Sequence, residues 1–183
     1  MNETVQEIIE LLITITLFTI VLSFPNFLFA KEALVLVISS IILHELGHKF
    51  VAKHYGCWAR FKASVLGLFM ALLGMFFGMM MFLPGAVEIY DTFYNEKEKK
   101  WKTVELTPMN LAYIALGGVG VNIALIYIFL LINSLALVQF NILIGLMNMI
   151  PFSPFDGEKI IIGSKKMWVI ALVLILIPFF LIK

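Results

Sequence analysis

Apolar residues recur in long runs along the chain, and short polar stretches separate these runs. A run of about 20 apolar residues can cross a bilayer as a helix, because a helix rises about 1.5 Å per residue. The pattern predicts six hydrophobic segments, at residues 8–24, 33–55, 65–83, 109–132, 134–150 and 168–182. The charged stretch Glu88–Glu105 is predicted to be a solvated loop. We therefore predict an all-α, multi-pass membrane protein with five to six hydrophobic segments.

The composition agrees with a membrane protein and limits its chemistry. Of the 183 residues, 62% are hydrophobic and 14% are charged, and the mean hydropathy is +1.03. A soluble domain is about half apolar and about a quarter charged. We predict a single transmembrane domain over residues 1–183, with no appended soluble domain. The net charge of +1 gives no electrostatic basis for nucleic-acid binding. The single cysteine, Cys57, excludes an intrachain disulfide and a zinc site made of cysteines.

The second segment carries the pattern His44-Glu45-Leu46-Gly47-His48. Residues four apart lie on the same face of a helix, so the two histidines can bind one metal ion. Glu45 lies at the edge of that face, where it can act as a general base without ligating the metal. The plainer interpretation is a helix with polar residues at its wet end. However, the uncharged run Ala33–Leu43 precedes the motif, and ionisable side chains at membrane depth usually have a function.

A catalytic zinc site usually has three protein ligands and one open position, so the two histidines need a third partner. His54 follows His48 at the spacing of the third ligand in metzincin proteases, but on an unbroken helix it points about 240° away. Val51 also stands where those proteases have a turn-forming glycine. We interpret His54 as an interfacial histidine. Asp156 is the strongest candidate for the third ligand, because it follows an apolar segment in a bent, proline-containing stretch.

Together these motifs resemble the site-2 protease family of polytopic intramembrane zinc metalloproteases. The resemblance rests on His44–His48, on Asn148-x-x-Pro-x-x-Pro-x-Asp156-Gly157, and on Gly118 and Asn122 in the fourth segment. It extends from about residue 33 to residue 162, which is most of the chain. Val119 replaces the proline of the family's Gly-Pro-x-x-Asn element, which affects the local kink and leaves the metal site unchanged.

The resemblance implies that His44, His48 and Asp156 hold one zinc ion per chain. It also implies that Glu45 is the general base for a zinc-activated water, and that Asn148 lies near the substrate or the developing oxyanion. The implied activity is hydrolysis of peptide bonds in or near transmembrane segments of membrane proteins. The expected partners are therefore a membrane-protein substrate and the lipid bilayer.

The predicted topology follows from the depth of the ligands in the membrane. His44 lies late in its segment and Asp156 follows the end of another, so both segments must run in the same direction for the ligands to meet. This requires that residues 65–83 do not cross the membrane. The resulting five crossings place eleven of the 13 Lys and Arg residues on one side, compared with eight for six crossings. The positive-inside rule favours the first arrangement, with the N-terminus in the cytoplasm and the protein in the cell membrane.

Two other functions remain open from the sequence. A catalytically silent relative would bind metal or membrane partners as an interaction protein, but an intact Glu45 would have no use in it. A transporter would need further carboxylates or histidines along a path through the membrane. The apolar runs offer almost none apart from Glu10.

Overall fold

A computed structural model describes residues 3–77, 85–95 and 98–181, and the fold is mostly helical (74%). The helices are α1 Glu3–Ser23, α2 Ala30–Val37, α3 Leu43–His54, α4 Val65–Phe77, α5 Pro108–Leu131, α6 Leu135–Asn148, α7 Asp156–Gly163 and α8 Lys165–Leu181. A 3₁₀ turn at Phe27–Phe29 precedes α2, and a π-helical turn at Ile38–Ile42 joins α2 to α3. As a result, one helix runs without interruption from Phe27 to His54.

Within the described ranges, three helices are long and apolar enough to cross a membrane. They are Glu3–Ser23, Phe27–His54 and Pro108–Leu131, which correspond to the first, second and fourth predicted segments. Two shorter apolar helices, Val65–Phe77 and Leu135–Asn148, lie in the third and fifth segments. A multi-pass arrangement is compatible with these lengths, and the number of five crossings stays a prediction.

The predicted helical fold is confirmed in its main part, but two small antiparallel sheets show that the protein is not all-α. The first sheet pairs β1, Trp58–Ala63, with β2, Gly85–Tyr90. The second pairs β3, Thr92–Asn95, with β4, Lys100–Thr103. The stretch Glu88–Glu105 therefore contains strands where a solvated loop was predicted. Its strands are short and rich in polar residues. They are stabilised by pairing with another strand, and a search for long apolar runs cannot detect such pairing.

The pairing of β1 with β2 brings together the two ends of the third hydrophobic segment. Ala63, just before α4, is the Cα partner of Gly85 in the sheet. The chain that connects them therefore leaves the sheet and returns to the same place. This is what we expect of a segment that enters a membrane without crossing it. Residues 78–84 of this segment lie outside the described part of the chain.

Helix α5 lies at the centre of the fold and packs against α3, α6, α7 and α8. Its contact with α3 is unusually close, because Gly47 and Gly117 face each other across the interface. A Cβ atom added to Gly117 would lie 2.7 Å from the Gly47 carbonyl oxygen. Small residues of this kind let two helix backbones approach each other in a membrane protein. The close approach places the histidine-bearing face of α3 directly against α5.

Candidate metal centre

Helix α3 presents two imidazoles from successive turns toward one point. The Nε2 atoms of His44 and His48 lie 3.0 Å apart, and the two rings are nearly perpendicular at 89°. Both residues are buried, at 3% and 7% exposure. Gly118 of α5 makes room for them, since a Cβ atom at that position would contact the Nε2 atoms of both rings. The predicted pair of histidines therefore lies on one helix face, as the spacing requires.

Asp156 reaches the same point from the start of α7. Its Oδ2 atom lies 3.0 Å from Nε2 of His48 and 3.3 Å from Nε2 of His44. The bent stretch before α7 is held in place by the Trp168 indole, whose Nε1 donates a 2.9 Å hydrogen bond to the Met149 carbonyl oxygen. Gly157 packs directly on the same carbonyl, where a side chain would not fit. These contacts determine where Asp156 enters the site.

The second nitrogen of each histidine has a hydrogen-bond partner that orients the ring. Nδ1 of His48 donates to the Ile114 carbonyl oxygen at 2.8 Å, and a carbonyl oxygen can only accept. Nδ1 of His44 donates to Oδ1 of Asn122 at 2.6 Å. As neutral imidazoles, both rings then direct the lone pair of Nε2 toward Asp156. Partners of this kind on the outer nitrogen are typical of metal-binding histidines.

The donor set fits a zinc ion. Asp156 Oδ2 is buried and has no hydrogen-bond donor among the described residues. Three electron pairs, from two nitrogens and one carboxylate oxygen, therefore converge, and a cation removes their repulsion. Ligand atoms about 2.0–2.1 Å from a tetrahedral zinc ion would lie roughly 3.3 Å from one another. This separation is close to the distances among the two Nε2 atoms and Asp156 Oδ2. Within the described chain, His44, His48 and Asp156 form the group of His, Cys, Asp or Glu side chains that could hold a metal ion.

Behind the histidines lies a network of buried amides that sequence reasoning found only in part. Nδ2 of Asn122 donates to the Ser40 carbonyl oxygen at 2.9 Å and to Oδ1 of Asn141 at 3.0 Å. Nδ2 of Asn141 in turn donates to the Leu137 carbonyl oxygen. These bonds determine which end of the Asn122 amide faces His44. Asn141 was missed, although its signal was the same as that of Asn122, a lone asparagine in an apolar run.

Glu45 lies beside the three residues and is nearly buried, with 9% exposure. Its Oε2 accepts a 3.0 Å hydrogen bond from the backbone N–H of Val87 in β2. The carboxylate is not among the grouped metal-binding atoms, in line with its predicted position at the edge of the histidine face.

A cavity of about 380 Å³ opens in front of this group of side chains. His44, Glu45, His48 and Asp156 line it together with Asn148 and the strand β2 residues Gly85, Ala86, Val87 and Ile89. Nδ2 of Asn148 donates to the Ile144 carbonyl oxygen of its own helix at 3.1 Å. The structure thus brings Asn148 to the same cavity, and its role toward a substrate stays a prediction.

His54 and Cys57, which the sequence does not assign to the site, lie apart from the three metal-binding residues. Val119, whose side chain is apolar, is not a ligand either. His54 is exposed at the end of α3, where its ring packs edge-on against Tyr55. Cys57 is buried in a separate apolar cluster with Ala52 and Ala59. Val119, which stands in place of the family proline, is fully buried within an uninterrupted α5. None of these three positions belongs to the grouped metal-binding residues in the described chain.

Comparisons with known proteins identify two relatives. The chain is 34% identical over 180 residues to a protein named "Putative zinc metalloprotease MJ0611" from Methanocaldococcus jannaschii, and the match covers 90% of this chain and 88% of the relative. It is 29% identical over 171 residues to "Zinc metalloprotease MJ0392" of the same organism, a match that covers 86% of this chain and 43% of the relative. No family model matches the chain, and no solved structure matches it.

Proposed function

The chain belongs to the zinc metalloprotease family of the relative that it matches along 90% of its length, and we propose that it is an intramembrane protease of the site-2 type. The proposal rests on one observation above all. Three side chains that fit zinc, His44, His48 and Asp156, are buried beside a carboxylate, and two of them lie within a helix long and apolar enough to cross a membrane. The proposed substrates are membrane proteins, cut in or near a transmembrane segment.

Each residue of the site has a proposed part in peptide hydrolysis. His44, His48 and Asp156 would hold the zinc ion, which when bound activates water and polarises a carbonyl group. Glu45 accepts the proton of the attacking water and delivers it to the leaving amine. The open face of the cavity admits the scissile peptide bond next to Glu45. Asn148, on the same cavity wall, donates a hydrogen bond to the substrate backbone or to the developing oxyanion.

Strand β2 supplies a binding edge for the substrate backbone. In an antiparallel pair, alternate residues direct their N–H and C=O groups away from the partner strand. The Val87 N–H is directed away from β1, toward Glu45. Gly85 and Ile89 are each two residues from Val87, so their N–H and C=O groups are also directed away from β1. All three residues line the cavity. A substrate segment that has unwound from its helix can therefore pair with β2 as an added strand.

Pairing with β2 also changes the partner of the catalytic base. In the structure, the Val87 N–H donates to Glu45. A substrate carbonyl that bonds to the same N–H displaces the Glu45 carboxylate, which is then free to accept a proton from water.

The substrate must also unwind before it can be cut. A peptide bond within a helix is already hydrogen-bonded and shielded. Substrates with helix-breaking residues near the cut site should therefore be cleaved faster.

The test is cleavage of a single-span membrane protein in liposomes by the wild type and by Glu45→Gln, with the zinc content of each measured. We expect both proteins to contain zinc and the variant to lose activity by on the order of 10²–10⁴-fold, because the general base is removed. Glu32→Gln is the matched control, since Glu32 is exposed on the same long helix. Equal cleavage by Glu45→Gln and the wild type, or no cleavage by either with zinc bound, would contradict the proposal.

A further inference from the structure

Helix α1 carries two carboxylates, Glu7 and Glu10, that the proposed catalytic site does not use. They lie three residues apart and thus on the same face of the helix. Both belong to a helix long and apolar enough to span a membrane, where an unpaired carboxylate is costly. Their side chains are only 12% and 17% exposed. A pair of partly buried charges in this position is stabilised by partners, and the structure supplies them.

The partners are backbone amides of β1 and the cations beside them. Oε1 of Glu7 accepts a 2.8 Å hydrogen bond from the N–H of Phe61 and forms an ion pair with Lys49 of α3. Oε2 of Glu10 accepts a 2.9 Å hydrogen bond from the N–H of Ala63. The other oxygen of Glu10 accepts hydrogen bonds from the Arg60 guanidinium at 3.1 Å and from the Gln6 amide at 2.9 Å.

These hydrogen bonds close one edge of the sheet. Phe61 and Ala63 are alternate residues of β1, and their amides are directed away from β2. These two N–H groups are the donors that an incoming strand would need at this edge. Because Glu7 and Glu10 accept from both, a strand could pair here only by displacing two carboxylates that are themselves held by Lys49 and Arg60. The opposite edge, formed by β2, is the one that faces the cavity.

The same contacts connect the sheet to the catalytic helix. Lys49 follows His48 directly on α3, and its ammonium group bonds to Glu7. On the other side of the sheet, Glu45 of α3 accepts from Val87 of β2. The sheet is therefore held between α1 and α3 by side chains on both of its edges. Movement of β1 along its own axis would break the contacts to Glu7 and Glu10 in turn.

We propose that Glu7 and Glu10 are positioning residues, which clamp β1 and thereby set the register of β2, and of a substrate strand paired with β2, against Glu45. The proposal rests on the proposed function, since only a bound substrate strand turns this register into a cleavage position. One residue of strand corresponds to about 3.3 Å. A loosened sheet would therefore present neighbouring peptide bonds to the catalytic group, and the cut would lose its single position.

The experiment compares the wild type with Glu7→Gln/Glu10→Gln and with Glu3→Gln, which is a matched control on an exposed position of the same helix. Glutamine keeps the shape of the side chain but replaces one acceptor oxygen with a donor. Two readouts are taken on the full chain in detergent. The first is hydrogen exchange of the Phe61 and Ala63 amides, resolved to single residues by mass spectrometry. The second is the mass of the products cut from a single-span substrate.

We expect the double variant to keep its zinc, to exchange both amides faster by on the order of tenfold or more, and to cut at neighbouring bonds as well as at the wild-type position. Glu3→Gln should match the wild type in both readouts. A protein that was merely destabilised would cut more slowly at an unchanged position. Unchanged exchange, or faster exchange with one unchanged cut position, would overturn the proposal.

Single variants keep the test decisive if the double variant does not fold. Glu7→Gln should speed exchange chiefly at Phe61, and Glu10→Gln chiefly at Ala63, because each carboxylate accepts from its own amide. Equal exchange at both amides in all variants would contradict the clamp. A wild type that cleaves no substrate would contradict the proposed function instead, and the exchange readout would then decide by itself whether the carboxylates hold β1.

Discussion

At the scale of single residues, the candidate site depends on which nitrogen of each imidazole carries a proton. The Ile114 carbonyl oxygen and the Asn122 amide accept from the two Nδ1 atoms, and this leaves both Nε2 atoms free to face Asp156. Asn122 is itself oriented by donating to Ser40 and Asn141. The chain of hydrogen bonds thus extends from α6 to the metal-binding face of α3. Its physical effect is to select one tautomer of His44.

Breaking this chain should weaken zinc binding without removing a ligand. We expect Asn122→Ala to lower the zinc affinity by on the order of 10–100-fold, which is typical for loss of a partner that orients a histidine ligand. Asn141→Leu should have a smaller effect in the same direction, because it acts on His44 only through Asn122. Competition with a chromophoric chelator measures both affinities.

The matched control for Asn141→Leu is Gln139→Leu, an exposed position on the same helix. This change should leave the zinc affinity at the wild-type value. An Asn122→Ala protein that binds zinc as tightly as the wild type would show that the amide network does not orient His44.

At the scale of helices and strands, the contact between α3 and α5 decides whether the site can form. The facing glycines Gly47 and Gly117 allow this approach, and Gly118 leaves space for the two imidazoles. The third ligand comes from a different part of the chain, at the start of α7, which also packs on α5. One helix therefore aligns both elements that carry the proposed ligands.

A methyl group at the helix contact should separate α3 from α5. In Gly117→Ala, the added Cβ atom would lie 2.7 Å from the Gly47 carbonyl oxygen and 2.8 Å from Cγ2 of Val51. We expect a loss of about 1–3 kcal/mol in the free energy of unfolding, as for overpacking of a protein core. Thermal unfolding in detergent, followed by circular dichroism, measures the change.

Gly120→Ala provides the control on the same helix. Apart from its chain neighbours and the backbone of its own helix, nothing lies within 4 Å of a Cβ added at Gly120, so this change should leave the stability equal or slightly higher. Equal stability of the two alanine variants would contradict the importance of the close helix contact.

The helices and strands also show which features local sequence patterns can predict and which they cannot. The i, i+4 spacing placed His44 and His48 on one face, and the proline-rich bend placed Asp156 near the end of an apolar helix, because both signals are local. The strands were missed because β1 finds its partner β2 only across the whole of the third hydrophobic segment. The Glu7 and Glu10 contacts were missed for the same reason, since they join residues about 50 positions apart.

At the scale of the whole molecule, the fold places a polar site within a largely apolar helical protein. Three helices of the described chain are long and apolar enough to span a membrane, and the third hydrophobic segment begins and ends at one paired sheet. Five crossings would let the segment with His44 and the segment before Asp156 run in the same direction. They would also place Lys31 and Asp91 on opposite sides of the membrane.

Cysteine labelling tests this topology directly. In a Cys57→Ala background, Lys31→Cys and Asp91→Cys introduce single thiols at two exposed positions. We expect an impermeant thiol reagent, added to sealed vesicles of one orientation, to label one of the two variants. Permeabilised vesicles are the control, in which both should react. Labelling of both cysteines from the same side of sealed vesicles would refute the five-crossing arrangement.

The most direct test of the account is the zinc coordination of the purified protein, measured by metal analysis and zinc X-ray absorption in the wild type and in Asp156→Ala. We expect one zinc ion per chain, with two imidazole nitrogens at about 2.0–2.1 Å and a carboxylate oxygen at about 2.0–2.2 Å. Asp156→Ala should lose the oxygen ligand and most of the affinity. Absence of zinc from a wild type prepared without chelators, or an unchanged spectrum in Asp156→Ala, would contradict the proposed centre and the protease built on it.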